Sequence, residues 1–181
     1  MEQKDKYYIF LDIDGVLWDW NYLKQAQAKT NRLLRADEVL NPDSVEALNK
    51  LIDVIDAGFD TRLVISSSWR NSTHKRNNNY MLYDYGLKYK KPLYHTRLRG
   101  EDDTLTTRGE EINDYLERHG MDIETGNYVV IDDEMQSLRP FMEMGRVIET
   151  SMAQSLREID VERFVKSRPE LLSLINTQEG M

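Results

Sequence analysis

The chain contains no cysteine, which excludes disulfides, thiol catalysis and cysteine-ligated zinc together. Its three histidines, His74, His95 and His119, are scattered without metal-ligand spacing. Any bound metal is therefore expected to be a hard ion held by oxygen. No apolar run approaches the length that crosses a bilayer. The opening stretch, MEQKDKYYIFLDIDG, has a short apolar segment but runs straight into two aspartates and has no small-residue cleavage site. It does not read as a signal peptide, so a cytoplasmic location is expected, with no membrane and no obligate protein partner. Internal repeats, low-complexity tracts and Pro/Gly/Ser-rich linkers are missing too. A single domain over residues 1–181 is expected, with a motif-bearing core at 7–156 and a helical tail at 157–181.

Acidic residues outnumber basic ones, 32 to 24, giving a net charge of −8. This balance argues against a protein that coats nucleic acid in general. One window reverses it. Between Arg70 and Arg99 lie eight Lys or Arg residues, one acid (Asp84) and five of the ten tyrosines. A solvated amphipathic face accounts for most such charge runs. Because this window directly follows a candidate catalytic strand, cations that pair with phosphates and tyrosines that stack on bases are the alternative reading.

Apolar strands alternate with helical segments. Strands are expected at 7–11, 62–65, 128–131 and 146–149. Helices are expected at 22–35, at 72–85 with Gly86 as stop, and at 110–119 with Gly120 as stop. The tail 153–175 reads as one or two helices broken near Pro169. Another helix begins at Asn41 as N-cap with Pro42 in the first turn. Val45, Leu48, Leu51, Ile52 and Ile55 follow at helical spacing, and Gly58 is expected as C-cap. This alternation calls for a central parallel sheet covered on both faces, a three-layer α/β architecture. In such sheets the active site forms beyond the C-terminal strand ends. Asp12, Ile13, Asp14 and Gly15 follow the first strand, Ser66, Ser67, Ser68, Trp69 and Arg70 the second, and Asp132, Asp133 and Glu134 the third.

The segment FLDIDGVL closely resembles the first motif of the haloacid dehalogenase (HAD) superfamily, and further stations follow in the family's order. The combination of FLDIDGVL, VISSSWR, TRGEEINDYL and YVVIDDE is most similar to the HAD domain of Swiss-army-knife RNA repair proteins. The resemblance covers roughly 7–156 and is weaker to the 5′(3′)-deoxyribonucleotidases. It implies a Rossmann-like fold and a Mg²⁺-dependent phosphatase.

In that reading Asp12 is the nucleophile that forms an aspartyl-phosphate. Asp14 is the general acid and base. Gly15 permits a sharp turn beside the phosphate. Ser66 donates to a phosphoryl oxygen, with Ser67 as the alternative one residue on. Arg108 offsets charge on the phosphoryl group, with Arg97 and Arg99 as competitors. Asp12, the backbone carbonyl of Asp14, Asp132 and Asp133 hold Mg²⁺, Asp133 directly or through water.

Only a minimal cap is expected, because helix 41–58 occupies much of the span from Asp14 to Ser66 and the insert 69–107 is modest. An open site suits a nucleotide or a phosphorylated nucleic-acid end. Trp18, Trp20 and Trp69 are placed to frame a base, although core packing would equally explain Trp69. Trp69 and Arg70 are the expected substrate contacts alongside Gly15 and Ser67, with Lys75, Arg76, Lys88, Lys90 and Lys91 guiding the substrate in. The competing readings are a phosphatase of small metabolites such as sugar phosphates, and a non-catalytic HAD-fold binding protein.

Overall fold

The structure, a computed structural model, describes residues 4–34, 38–71, 75–97 and 107–179, with side chains described in these except at 71–79 and 176–179. Among these residues, five strands form one sheet: β1 (Lys6–Leu11), β2 (Asp60–Ile65), β3 (Tyr94–His95), β4 (Tyr128–Asp132) and β5 (Val147–Glu149). Their spatial order is β3-β2-β1-β4-β5 and every pairing is parallel. Among the described residues, seven α-helices accompany them: α1 (Trp20–Thr30), α2 (Pro42–Gly58), α3 (Lys75–Asp84), α4 (Arg108–Arg118), α5 (Met135–Leu138), α6 (Glu158–Ser167) and α7 (Pro169–Glu179). Among the described residues, no helix is long and apolar enough to cross a membrane.

Strand periodicity builds the three layers. Tyr7, Ile9 and Leu11 of β1 point into a core shared with α2, α6 and α7, where Leu48, Leu51, Ile55, Phe164 and Leu171 are buried. Tyr8 and Phe10 point the other way, against Ile112, Tyr115 and Leu116 of α4 and Leu138 of α5. A strand buried on both faces has no place for a polar residue until it ends, so the first carboxylate marks the edge of the core. Leu11 lies opposite Ile65 of β2 and Ile131 of β4. One step on, Asp12, Ser66 and Asp132 therefore stand at the same level on three adjacent strands.

Four expected strands are present and a fifth, β3, was not expected. Two residues carry no periodic signal, and β3 exists because β2 offers it an edge. The end of α2 corrects the reading of Gly58. The C-cap is Phe59, and the glycines with left-handed φ are Gly15, Gly86 and Gly120. A Cβ at Gly58 would lie 2.6 Å from Leu174 Cδ2, so this glycine makes room for α7. Pro169 ends one tail helix and opens the next. The start of the expected 72–85 helix falls partly outside the described residues.

The first turn of α4 is set by a capping box. Thr107 Oγ1 accepts from the Glu110 N–H at 3.3 Å, and the Glu110 carboxylate accepts from the Thr107 N–H at 2.9 Å. The next glycine, Gly109, lets this turn press on the segment after β4. A Cβ there would lie 2.5 Å from both the Ser137 carbonyl oxygen and Phe141 Cδ2. The backbone oxygen cannot swing aside. Gly109→Ala is expected to lower stability by about 1–3 kcal/mol through overpacking, despite alanine's better helix propensity. Chemical denaturation checks this; an unchanged or raised midpoint would contradict it.

Candidate active site

The carboxylates of Asp12 and Asp132 are buried side by side at the ends of β1 and β4. Asp12 N–H donates to the Ile131 carbonyl at 3.0 Å, which ties the two strand ends together. Between them comes Arg108 from α4, with Nη2 3.7 Å from Asp12 Oδ1 and Nε 3.4 Å from Asp132 Oδ2. These are ion-pair separations longer than good hydrogen bonds. Asp12 Oδ1, Asp132 Oδ2 and Arg108 Nε and Nη1 are all buried with no hydrogen bond to a described residue. Asp132 Oδ1 accepts from the Glu134 N–H at 2.8 Å, which aims the other oxygen into the site.

Behind Arg108 lies a residue that carried no motif signal. Glu111 is fully buried on the same face of α4, 3.8 Å from Arg108 Nη1, and pairs with Arg70. Arg70 also donates to the carbonyls of Ser67, at 2.6 Å, and of Arg97, at 3.0 Å. The position of Glu111 three residues after Arg108 was the available clue, but an acid in a helical first turn ordinarily faces water. Its pairing leaves Arg70 facing inward. Arg70, expected to contact substrate, is buried, with its two terminal nitrogens bonded to Glu111 and to these two carbonyls.

Ser66 follows β2, its hydroxyl fully buried with no hydrogen bond to a described residue. Ser67 is engaged, its hydroxyl accepting from the Trp69 N–H at 3.3 Å and, from beside Asp12, opposing the rise of that carboxyl's pKa. Gly15 has φ +68, a backbone that favours glycine. The space of its missing Cβ is taken by Asp133, whose Oδ2 would lie 2.5 Å from that atom. Of the candidate cations among the described residues, Arg108 is the one brought to Asp12. Arg97 is exposed, and Arg99 lies outside the described residues.

Asp14 accepts at a single oxygen, Oδ1, from the indole N–H groups of Trp18 at 2.8 Å and Trp69 at 2.9 Å. Trp20 is half exposed and packs edge-on against Trp18, ring centroids 5.2 Å apart. The loop after β1 is latched from the far side. Asp19 Oδ2 accepts from the Ser155 hydroxyl at 2.7 Å, and that hydroxyl accepts from Ser44 at 2.9 Å.

Two described lysines of the basic window, Lys88 and Lys91, do not reach this site. Lys91 pairs with Asp56 at 2.8 Å and with Asp60 at 3.0 Å. Asp60 begins β2, and six residues of strand at about 3.3 Å each put it on the order of 20 Å from Ser66. Lys88 pairs with Glu46 on the flank of α2 at 3.0 Å. The expectation that these two lysines guide a substrate to Asp12 is therefore corrected; nearby acids neutralise them elsewhere on the surface. Lys90 is exposed, and the side chains of Lys75 and Arg76 lie outside those described.

Asp12, Asp132 and Asp133 can each offer an oxygen within 4.8 Å of the others. Among the described residues, these three carboxylates share one guanidinium, and two of them have a buried oxygen unspent. An all-oxygen set with surplus negative charge fits a hard divalent cation such as Mg²⁺. Burial raises the Asp12 carboxyl above its ordinary range, against the lowering effects of Arg108 and Ser67. Burial, then the charge of Asp12, raises Asp132.

A family model described as the HAD domain in Swiss Army Knife RNA repair proteins matches residues 8–161. No curated protein and no solved structure matches the chain significantly.

The raised carboxyls carry a sign. The metal-free folded protein keeps protons that the unfolded chain has already released, so these groups favour folding less as pH rises above the ordinary carboxylate range. A cation that replaces those protons should recover the loss. Saturating Mg²⁺ is expected to raise Tm by several degrees at about pH 8 and by much less at about pH 5. Calorimetry with and without chelator measures both increments; equal ones would contradict the assignment.

Proposed function

Since the chain belongs to the HAD domain family of Swiss Army Knife RNA repair proteins, we propose that it is a Mg²⁺-dependent phosphohydrolase acting on nucleotides or phosphorylated nucleic-acid ends through an aspartyl-phosphate on Asp12. The observation that carries the reading is the pair of buried carboxylates, Asp12 and Asp132, facing Arg108 with the Ser66 hydroxyl unspent beside them. A structural role would leave such groups paired; a phosphoryl group and a cation would use all of them.

In the first step a carboxylate oxygen of Asp12 attacks phosphorus while the bond from phosphorus to the leaving oxygen breaks. Asp14, as the acid, gives its proton to that oxygen, and the product alcohol departs. In the second step water attacks the phosphorus of the aspartyl-phosphate. Asp14, now a carboxylate, takes the water's proton. Inorganic phosphate leaves and the Asp12 carboxylate is restored. Arg108 and the Ser66 hydroxyl lie where charge develops on the phosphoryl oxygens. Asp12, the Asp14 carbonyl, Asp132 and Asp133 would hold the Mg²⁺, which supplies charge neutralisation at the phosphoryl group. Arg70 and Glu111 set the position of Arg108.

The preference for a nucleotidyl leaving group rests on the family and on Trp20, an exposed indole edge-packed on the tryptophan that holds Asp14. Because Asp14 serves the leaving oxygen, whatever the leaving group carries lies against that aromatic wall, and a base would stack there. The neutralised lysines lend no support. A cytoplasmic setting is proposed with this substrate.

Asp12→Asn is expected to abolish turnover while Tm stays within a few degrees of wild type. Asp14→Asn should lower kcat by about 10²–10⁴ with unchanged Mg²⁺ affinity, as expected for a lost general acid. Asp132→Asn should weaken apparent Mg²⁺ affinity and recover partly with added metal. Near-normal turnover of Asp12→Asn would sink the mechanism. Phosphorylated oligonucleotides should exceed hexose phosphates in kcat/KM; the reverse order would shift the assignment to small metabolites.

A further inference from the structure

The two indoles on Asp14 come from separate parts of the chain. Trp18 closes the tight turn after β1, in which the N–H groups of Val16 and Leu17 donate to the Ile13 carbonyl at 3.2 and 2.9 Å. Trp69 belongs to the short 3-10 turn Ser68–Asn71 after β2. An indole nitrogen is a donor only, so both bonds run toward the carboxyl. Both end on Oδ1, and no described residue bonds Oδ2.

We infer that Trp18 and Trp69 are positioning residues for the proton transfer assigned to Asp14, a reading that rests on the phosphatase mechanism above. Two N–H donors on one oxygen make Oδ1 the carbonyl oxygen of the protonated acid. The transferable proton is thereby confined to Oδ2, and rotation of the carboxyl is stopped. Neutral donors achieve this without setting another cation beside the phosphoryl group, where Arg108 already stands. Trp18 is almost fully buried, so its N–H needs an acceptor, and Asp14 is the one it has. The same bonds join the loop carrying the nucleophile to the loop carrying Ser66.

The test exploits what a general acid is for. A poor leaving group, such as the alkoxide of an alkyl phosphate, needs the proton. An activated one, such as p-nitrophenolate, needs it far less. kcat/KM is the right quantity, since it reports steps up to loss of the leaving group and ignores hydrolysis of the aspartyl-phosphate. Trp69→Phe and Trp18→Phe each keep a ring and remove the donor. Each is expected to lower the ratio of alkyl to aryl kcat/KM by about tenfold relative to wild type, a fraction of the 10²–10⁴ that the whole acid supplies. A packing role would lower both substrates together and leave the ratio in place. Should Trp18→Phe fail to fold, the partly exposed Trp69 decides the matter alone. A ratio within about twofold of wild type in every folded variant overturns the inference while leaving the phosphatase reading intact. A wild-type protein inactive on both substrates overturns both.

Discussion

Two carboxylates, Asp12 and Asp132, are held together away from water with one guanidinium between them. Like charges so placed repel, and burial adds to the cost of ionising them. Much of the surrounding structure serves to hold this arrangement. The parallel register brings β1, β2 and β4 to an end at one level. The capping box fixes the first turn of α4, Gly109 lets that turn approach, and the pair of Glu111 and Arg70 holds Arg108 from behind. Removing either Glu111 or Arg70 would leave a buried charge without its counterpart, which costs more than never having buried it.

The loop after β1 is constrained in a different way, by neutral hydrogen bonds. Asp14 is fixed by two indoles, and Asp19 is fixed by Ser155, which Ser44 supports. Gly15 turns with a positive φ and gives its Cβ space to Asp133. Charge holds the groups proposed to meet the phosphoryl oxygens and the cation. Uncharged donors hold the group proposed to move a proton. That division suits phosphoryl transfer, in which positioning and charge neutralisation are the protein's main contributions.

The central strands and most helices were legible because each is long enough to show its period, and the chemistry was legible because it follows strand ends. The exceptions share a cause. β3 is two residues long and owes its existence to its neighbour. Gly58 looked like a cap because a glycine at a helix end usually is one, whereas its role depends on Leu174, more than a hundred residues away. Arg70 was expected to meet substrate and Glu111 carried no motif signal, since only tertiary contact reveals that they pair with each other. The basic window misled in the opposite direction. Its charge is real along the sequence, but Lys88 and Lys91 meet Glu46, Asp56 and Asp60, which a one-dimensional count cannot pair with them. The tryptophans were noticed for their rings, while the structure gives the N–H groups of two of them to Asp14.

The central claim is that Asp12 becomes covalently phosphorylated, and trapping that species tests it most directly. Wild-type protein mixed with Mg²⁺ and a phosphate monoester labelled in its phosphoryl group, then quenched in acid within a turnover, should retain label. Peptide mapping should place it on the segment FLDIDGVL at Asp12, as a bond that survives acid and is released by hydroxylamine. Turnover without label, or label on any other residue, would contradict the account.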